Sequence, residues 1–322
     1  MPLQPLLKRT LTGLAGLLVI TAGGLAYLTL RSPEAASPSD VHVPMAPERI
    51  ARGKFLFEVV ADCDGCHSMR DWTRFGGPVL KHGVGWAFPP ELGLPGAVVA
   101  PNITPDKETG IGEWSDGEKI RAIREGVSRD GRALFPMMPY QAFRNMSDSD
   151  VQSLVAYMNT LTPVKNPLPR TELAFPVNLM IKSAPKPVSG AVGEPQDLGK
   201  YLVTLGGCGD CHSRKEKGAP VEGMEFAGGE IFRIGENTVV TPNITPDLET
   251  GLGKWTDEQF IKRFHDYRDY AKNGPPPVKA DSFTLMPWLA FSEYSEDELK
   301  AIFRHLKTLK PVTNLVEVHP GS

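Results

Sequence analysis

The sequence contains two similar five-residue segments, CDGCH at residues 63–67 and CGDCH at residues 208–212. The chain has 322 residues and four cysteines, and these two segments contain all four. In each segment two residues separate the cysteines, and a histidine follows directly. No thiol is therefore left for a structural disulfide elsewhere in the chain.

The CxxCH spacing is typical of c-type haem attachment. Two thiols three positions apart can form thioethers with the two vinyl groups on one edge of a porphyrin, and the adjacent histidine can then ligate the iron. We therefore predict two covalently bound haem c groups. The predicted attachment and iron-binding residues are Cys63, Cys66 and His67 in one motif and Cys208, Cys211 and His212 in the other.

Three other uses of paired cysteines are less consistent with the sequence. Zinc-binding CxxC pairs usually lie within tens of residues of one another, whereas these pairs begin at residues 63 and 208. A redox-active CxxC disulfide needs a βαβ context, which is missing here. Disulfides inside each pair would be strained and would leave both histidines unexplained.

The two motifs belong to a repeat that covers most of the chain. The sequence PNITPD at residues 101–106 recurs at residues 242–247, and each copy leads into an ETGxGxW sequence that ends at Trp114 or Trp255. The landmarks keep their order while the spacing between them varies, as expected for a duplicated domain.

The repeat divides the chain into four parts. Prolines are frequent between residues 162 and 195, so this region should form an extended connector without a helix. The predicted parts are an anchor at residues 1–31, a first haem domain at 47–163, a proline-rich linker at 164–193 and a second haem domain at 194–311.

The N-terminal segment predicts a membrane helix. An apolar, uncharged run from Thr10 to Leu30 follows Lys8 and Arg9. At about 1.5 Å per residue, a helix over this run reaches roughly 30 Å and can cross a bilayer. The two basic residues favour a cytoplasmic N-terminus, which places the haem domains in the periplasm. A cleaved signal peptide is the alternative; we expect an uncleaved, single-pass helix in the inner membrane.

Each repeat contains three helical patterns. Apolar residues follow a 3.6-residue period in the last helix of each repeat, and serine or threonine stands where free helix amides need a cap. No long alternating strand pattern occurs, so we predict an all-α fold. The helices should begin near residues 47, 116 and 148 in the first repeat and near residues 197, 257 and 296 in the second.

A second axial ligand is needed on each iron. Met138 and Met286 stand at matching places, each before a proline and an aromatic residue, and we predict that they are these ligands. Met137 is an alternative to Met138 in the first repeat. Imidazole plus thioether raises the reduction potential and leaves no open position for a substrate, which favours a carrier over an enzyme. Rival ligands are His82, His265 and His305.

With these motifs, the chain resembles the class I cytochrome c superfamily. It is most similar to the multi-haem cytochrome c subunits of periplasmic alcohol, aldehyde and gluconate-type dehydrogenases. The resemblance covers both repeats and rests on the CxxCH motifs, the NITPD loops, the GxGxW turns and the Met-Pro-aromatic sequences. It implies two tandem three-helix cytochrome c domains, in which a helix containing Gly53 or Gly199 packs on the last helix.

The resemblance also implies secondary site residues. Asn102 and Asn243 would lie near haem propionates. A proline carbonyl would orient the iron-binding histidine, and Gly77-Pro78 fits this role in the first repeat, although the second repeat has no equivalent. Trp114 and Trp255 could donate to a propionate or could fill the core.

The function implied by the resemblance is electron transfer, not catalysis. A periplasmic dehydrogenase of flavin, quinone or molybdenum type would donate electrons, and a quinone, a soluble cytochrome or a terminal oxidase of the respiratory chain would accept them. An oxidase-associated cytochrome domain, a haem sensor and a di-haem peroxidase are alternatives, although matched methionine ligands argue against a peroxidase. The net charge of −3, without a basic run, excludes a nucleic-acid partner.

Overall fold

The computed structural model describes residues 4–181, 186–216 and 218–320. The protein is helix-rich, as predicted. The first repeat contains α2 (Pro47–Phe55), α3 (Cys63–His67), α4 (Asp116–Glu125), α5 (Tyr140–Phe143) and α6 (Asp148–Met158). The second contains α8 (Leu198–Leu205), α9 (Cys208–Cys211), α10 (Asp257–His265), α11 (Arg268–Asn273), α12 (Trp288–Phe291) and α13 (Glu296–Lys307). A π-helical turn, Leu56–Val60, continues α2, and two helices lie outside the repeats, α1 (Gln4–Leu30) and α7 (Val177–Met180).

Short antiparallel ribbons accompany the helices, so the prediction of helices alone was incomplete. Most of these strands have only two residues, which is too short for an alternating pattern to be visible in the sequence. The pairs are β1 (Met69–Arg70) with β2 (Val79–Lys81), β3 (Trp86–Ala87) with β5 (Val99–Ala100), β4 (Gly96–Ala97) with β6 (Glu172–Leu173), β7 (Lys215–Glu216) with β8 (Ala219–Pro220), and β9 (Ile231–Ile234) with β10 (Asn237–Val240).

The N-terminal helix α1 carries the predicted apolar run. Its stretch Thr10–Leu30 has a mean hydropathy of 1.8, and none of the apolar window is buried inside the protein. A membrane anchor and a signal sequence both have this composition, so the structure is compatible with either interpretation. In both cases the apolar surface requires a non-aqueous environment.

The first and last helices of each repeat cross at backbone contact. A Cβ added to Gly53 in α2 would lie 1.8 Å from the carbonyl oxygen of Ser153 in α6. The same addition to Gly199 in α8 would lie 2.0 Å from the carbonyl oxygen of Ala301 in α13. Only glycine fits at either crossing, which confirms the predicted packing of the glycine-containing helix on the last helix.

The helix starts were predicted correctly, and side-chain caps determine all of them except that of α2, which begins at Pro47. The hydroxyl of Ser115 accepts a hydrogen bond from the amide of Glu118, whose carboxylate accepts in return from the Ser115 amide. The same reciprocal cap opens α10 and α13, and a single serine cap opens α6. Such caps satisfy amides that the helix itself leaves free.

The two repeats share one hydrophobic core. The helix after each predicted methionine ligand contacts the helical segment before the cysteines of the other repeat: α5 contacts α8, and α12 contacts the π-helical turn. At this interface, the Tyr201 hydroxyl donates to the Asp150 carboxylate at 2.8 Å and accepts from the Ser147 amide at 3.1 Å. Because each repeat contributes the same kind of helix to the same kind of segment in the other, the contact is approximately two-fold symmetric.

The linker is more structured than predicted. It contributes β6 and the one-turn helix α7, so the prediction that the proline-rich region holds no helix was wrong. Pro176 stands immediately before this turn, where the missing amide costs no intrahelical hydrogen bond. Pro185 lies outside the described residues.

The helix crossing gives a first prediction. Replacing Gly53 with alanine should lower the free energy of unfolding by about 3 kcal/mol, because the new methyl group must push two backbones apart. Gly193→Ala is the matched control, since its added Cβ meets no atom within 4 Å. Urea unfolding followed by far-UV circular dichroism measures both. Equal midpoints for the two variants would contradict the proposed close crossing.

Candidate haem-binding site

The histidine of each CxxCH motif is held by a backbone carbonyl. Nδ1 of His67 lies 2.9 Å from the carbonyl oxygen of Pro101, and Nδ1 of His212 lies 2.9 Å from that of Pro242. A carbonyl oxygen can only accept, so Nδ1 carries the proton and donates it. The lone pair of Nε2 is therefore left available for a metal.

The carbonyl that orients the histidine was predicted in the wrong place. In the first repeat the carbonyl oxygen of Gly77 accepts from Nε of Arg70 at 2.6 Å, and that of Pro78 accepts from the Asp71 amide at 3.0 Å. The actual acceptor, Pro101, opens the PNITPD motif. Its equivalent, Pro242, serves the second repeat, so one rule covers both copies.

Burial keeps both imidazoles neutral. His67 is 9% exposed and His212 is 8% exposed. Burial lowers the pKa of both side chains, and the hydrogen bond to the proline carbonyl opposes this shift only in part. Because the pKa is lowered from an ordinary value of 6.5, the neutral form dominates at pH 7. A neutral imidazole is the form that ligates iron.

The asparagines after the two prolines stabilise the loop. The Nδ2 group of Asn102 donates to the Thr109 hydroxyl and to the Val164 carbonyl, while Oδ1 accepts from the amide and hydroxyl of Thr104. Asn243 makes the equivalent four bonds in the second repeat. Both amide hydrogens of each side chain are used within the loop, and the position of the two asparagines near haem propionates stays a prediction.

A short repeat that follows the last helix was missed in the sequence. PVKN at residues 163–166 recurs as PVTN at residues 311–314. The amide group of Asn166 donates to the Val84 carbonyl at 2.8 Å, and that of Asn314 donates to the Ala227 carbonyl at 2.8 Å. These residues close the loop that carries the proline carbonyl, and their hydrogen bonds continue past the predicted domain ends at 163 and 311.

One glycine in each repeat connects the histidine to this loop. The Gly85 amide donates to the His67 carbonyl at 2.7 Å, and the Gly228 amide donates to the His212 carbonyl at 2.7 Å. Gly85 has φ +73°, and a Cβ there would lie 2.6 Å from the Ala100 carbonyl oxygen. Both the left-handed backbone and the close approach require glycine.

The cysteines are unbridged, and their thiols are protonated. All four are free thiols. Burial raises the pKa of Cys66 to about 11 and that of Cys208 to about 12. Redox-active CxxC motifs instead depend on a lowered thiol pKa. Cys63 and Cys208 both pack against the shared core, where an apolar group such as a porphyrin edge can be covered.

The predicted methionine ligands occupy equivalent turns. The carbonyl of Met138 accepts from the Tyr140 amide at 2.8 Å, and that of Met286 accepts from the Trp288 amide at 2.7 Å. Both methionines are partly buried and pack against the core. Met137, the alternative in the first repeat, is 36% exposed.

The rival histidines have other partners. Nδ1 of His82 lies 2.9 Å from the Asp64 carboxylate, and Nε2 of His265 lies 3.0 Å from the Tyr294 carbonyl oxygen. His305 lies 3.6 Å from the Asp197 carboxylate. Of the two tryptophans, Trp114 packs against the core, whereas Trp255 is 36% exposed.

The segments that precede the two CxxCH motifs meet at the interface between the repeats. A Cβ on Gly206 would lie 3.5 Å from the Val60 carbonyl oxygen. Burial is the main cause of the raised pKa of Cys66, and the negative charge of Asp62 adds to it. The two CxxCH motifs therefore start close to the contact between the repeats.

The site has the donor set that haem c requires. Each repeat offers two adjacent thiols and one neutral imidazole with a fixed tautomer, and it places a thioether-bearing turn against the same core. The glycines at the histidine loops allow a close backbone approach that a side chain would prevent. These features define the class of a c-type haem protein.

Similarity to known proteins agrees with this class. The cytochrome c family profile matches residues 50–162. The chain is 31% identical to a "Diheme cytochrome c-type" protein of Cereibacter sphaeroides, over 74% of this chain and 80% of that protein. This chain therefore belongs to the cytochrome c family, whose members bind haem c covalently.

Other relatives are subunits of dehydrogenases. The chain is 29% identical to the cytochrome c subunit of a quinone-dependent alcohol dehydrogenase of Gluconacetobacter polyoxogenes, over 92% of this chain. It is 34% identical to one of the subunits of nicotinate dehydrogenase of Pseudomonas putida, over 96% of this chain. The chain spans 62% of the first relative's length and 26% of the second's.

The asparagine network gives a second prediction. Asn102→Ala should lower the free energy of unfolding by about 3 kcal/mol, because the substitution removes four hydrogen bonds and leaves the groups that made them with Asn102 unsatisfied. Asn145→Ala is the matched control, since this exposed asparagine makes one local bond, to the Ala142 carbonyl. Urea midpoints of the holoprotein measure both. If Asn102→Ala lowers the free energy of unfolding no more than Asn145→Ala does, the asparagine hydrogen bonds are not what stabilises the loop.

Proposed function

We propose that this chain is a membrane-anchored, di-haem c-type cytochrome that transfers electrons in the periplasm. The observation that carries the proposal is the duplicated histidine site: two buried imidazoles, each held through Nδ1 by a proline carbonyl at 2.9 Å. Each follows a CxxC pair of free thiols. A single such site would support one haem, and the duplication supports two tandem cytochrome c domains.

The proposed ligands follow from the same geometry. Cys63 and Cys66 would hold one haem c covalently, with His67 and Met138 as the axial ligands of its iron. In the second domain the corresponding residues are Cys208, Cys211, His212 and Met286. Haem supplies reversible one-electron redox chemistry when bound.

The chain's own residues determine what that chemistry can do. The carbonyls of Pro101 and Pro242 fix the tautomer and orientation of the imidazoles, and burial excludes water from their rings. Met138 and Met286 would each supply a thioether to an iron, which would leave no open position for a substrate or for peroxide. This arrangement supports an electron carrier and disfavours a di-haem peroxidase.

The interface between the repeats supports electron exchange between them. The backbone at Val60 meets Gly206 just before the two motifs, and Cys63 and Cys208 both pack against the shared core. These cysteines would hold the two haem groups close to the contact between the repeats, which supports electron exchange between them.

The relatives support a dehydrogenase as the electron donor. Their names describe cytochrome subunits of alcohol and fructose dehydrogenases and a subunit of nicotinate dehydrogenase. We propose that this chain accepts electrons from a periplasmic dehydrogenase and passes them to a quinone, a soluble cytochrome or a terminal oxidase. The apolar helix Thr10–Leu30 would hold it in the inner membrane, with both haem domains outside.

The axial ligands give a third prediction. Met138→Ala and Met286→Ala should each remove half of the thioether-to-iron charge-transfer absorption of the oxidised protein and leave both haems covalently attached. Met137→Ala is the matched neighbour and should leave the spectrum unchanged, because Met137 is more exposed than Met138 and is not the proposed ligand. The measurement is the charge-transfer absorption of each variant and of the unaltered protein, compared at equal haem content. Loss of the band in Met137→Ala, or its retention in the other two variants, would contradict the ligand proposal.

The function gives a fourth prediction. The tagged chain, solubilised from membranes in mild detergent, should co-purify with a dehydrogenase. Addition of that enzyme's substrate should then reduce both haems within the mixing time of a stopped-flow instrument. The isolated chain should show no turnover of hydrogen peroxide. Peroxide turnover, or haems that stay oxidised when the co-purified dehydrogenase receives its substrate, would favour a peroxidase or an oxidase-associated domain instead.

A further inference from the structure

Two large apolar side chains are exposed close together in the linker. Phe175 is 76% exposed and Met180 is 63% exposed. They belong to residues 172–181, which we call the foot. From Leu173 to Ile181 the sequence is LAFPVNLMI and contains no charged residue. Large apolar side chains are costly to leave in water, so a second surface should cover them.

The foot is bound to the end of the N-terminal helix. Arg31 directly follows the apolar run, and its Nη2 group donates to the carbonyl of Leu179 at 3.1 Å and to that of Met180 at 3.5 Å. Helix α7 also packs against α1. A helix that spans a bilayer ends at the boundary between acyl chains and headgroups, where arginine is favoured. The foot therefore lies at the depth of that boundary.

The foot is also fixed to the first repeat. Its strand β6 pairs with β4, and the Ala174 amide donates to the Pro95 carbonyl at 2.9 Å. Just before it, the Thr171 hydroxyl accepts from the Val99 amide at 3.1 Å. A contact between the foot and a surface would thus set the orientation of the first repeat relative to that surface.

We propose that the foot is a second membrane contact, which inserts Phe175 and Met180 among the lipids of the outer leaflet. The inference rests on the proposed membrane anchoring by α1. Lipid is the favoured occupant because the foot continues the apolar surface of α1 and shares its boundary residue, Arg31. Amphipathic segments bind at this depth through buried apolar area. The contact would hold the first haem site at a constant height above the bilayer.

Photo-cross-linking of the full-length holoprotein in nanodiscs of phosphatidylethanolamine and phosphatidylglycerol tests the inference. p-Benzoylphenylalanine replaces Phe175 or Met180, and mass spectrometry counts lipid adducts. Leu18 in α1, 69% exposed, is the positive control, and Leu315 in the second repeat, 85% exposed, is the negative control. We expect adduct yields at positions 175 and 180 close to that at 18 and at least tenfold above that at 315.

The controls separate this inference from the anchoring on which it depends. Adducts at position 18 together with background yields at 175 and 180 would overturn the foot contact and leave the anchor intact. Background yields at position 18 as well would overturn both. The same variants irradiated in native membranes should again give lipid adducts. Adducts to a protein at 175 and 180, in place of lipid, would show that a protein partner covers the foot and would overturn the proposal.

Discussion

The hydrogen bond from a histidine Nδ1 to a proline carbonyl, made once in each repeat, is the constraint on which the rest of the structure depends. It sets the imidazole tautomer, and thus which nitrogen can bind iron. The bond requires the carbonyl of Pro101 to stay in place. Asn102, buried and bonded four times, holds that loop, and the PVKN sequence after the last helix closes it. The second repeat reproduces each of these bonds.

The sequence could predict those parts of the protein that depend on side-chain identity. Thiol and imidazole positions, capping serines and the glycines at helix crossings all need particular residues, so motifs and repeats reveal them. The acceptor for His67 is different, because every residue has a carbonyl and only the fold shows which one is near. The same reason explains why Gly77-Pro78 was chosen wrongly. Two-residue strands and the single turn after Pro176 are too short to produce a pattern.

The contact between the repeats fixes the position of one site relative to the other, which neither repeat could do alone. Each repeat presents the turn after its methionine to the segment before the other repeat's cysteines, and Tyr201 links the two through Ser147 and Asp150. Because the core is continuous across this contact, the two sites are held at a fixed separation. Fixed separation and exclusion of water are what an electron path between two centres needs, and flexible tethering of independent domains would supply neither.

The most direct test of this account is the intact mass of the chain after it is produced in a host with c-type haem maturation and denatured in acid. Thioether bonds survive denaturation, whereas iron ligation does not. The account predicts the mass of the polypeptide plus two haem groups, and loss of one haem when both cysteines of either motif are changed to alanine. The mass of the bare polypeptide, or of one haem per chain in the unaltered protein, would contradict it.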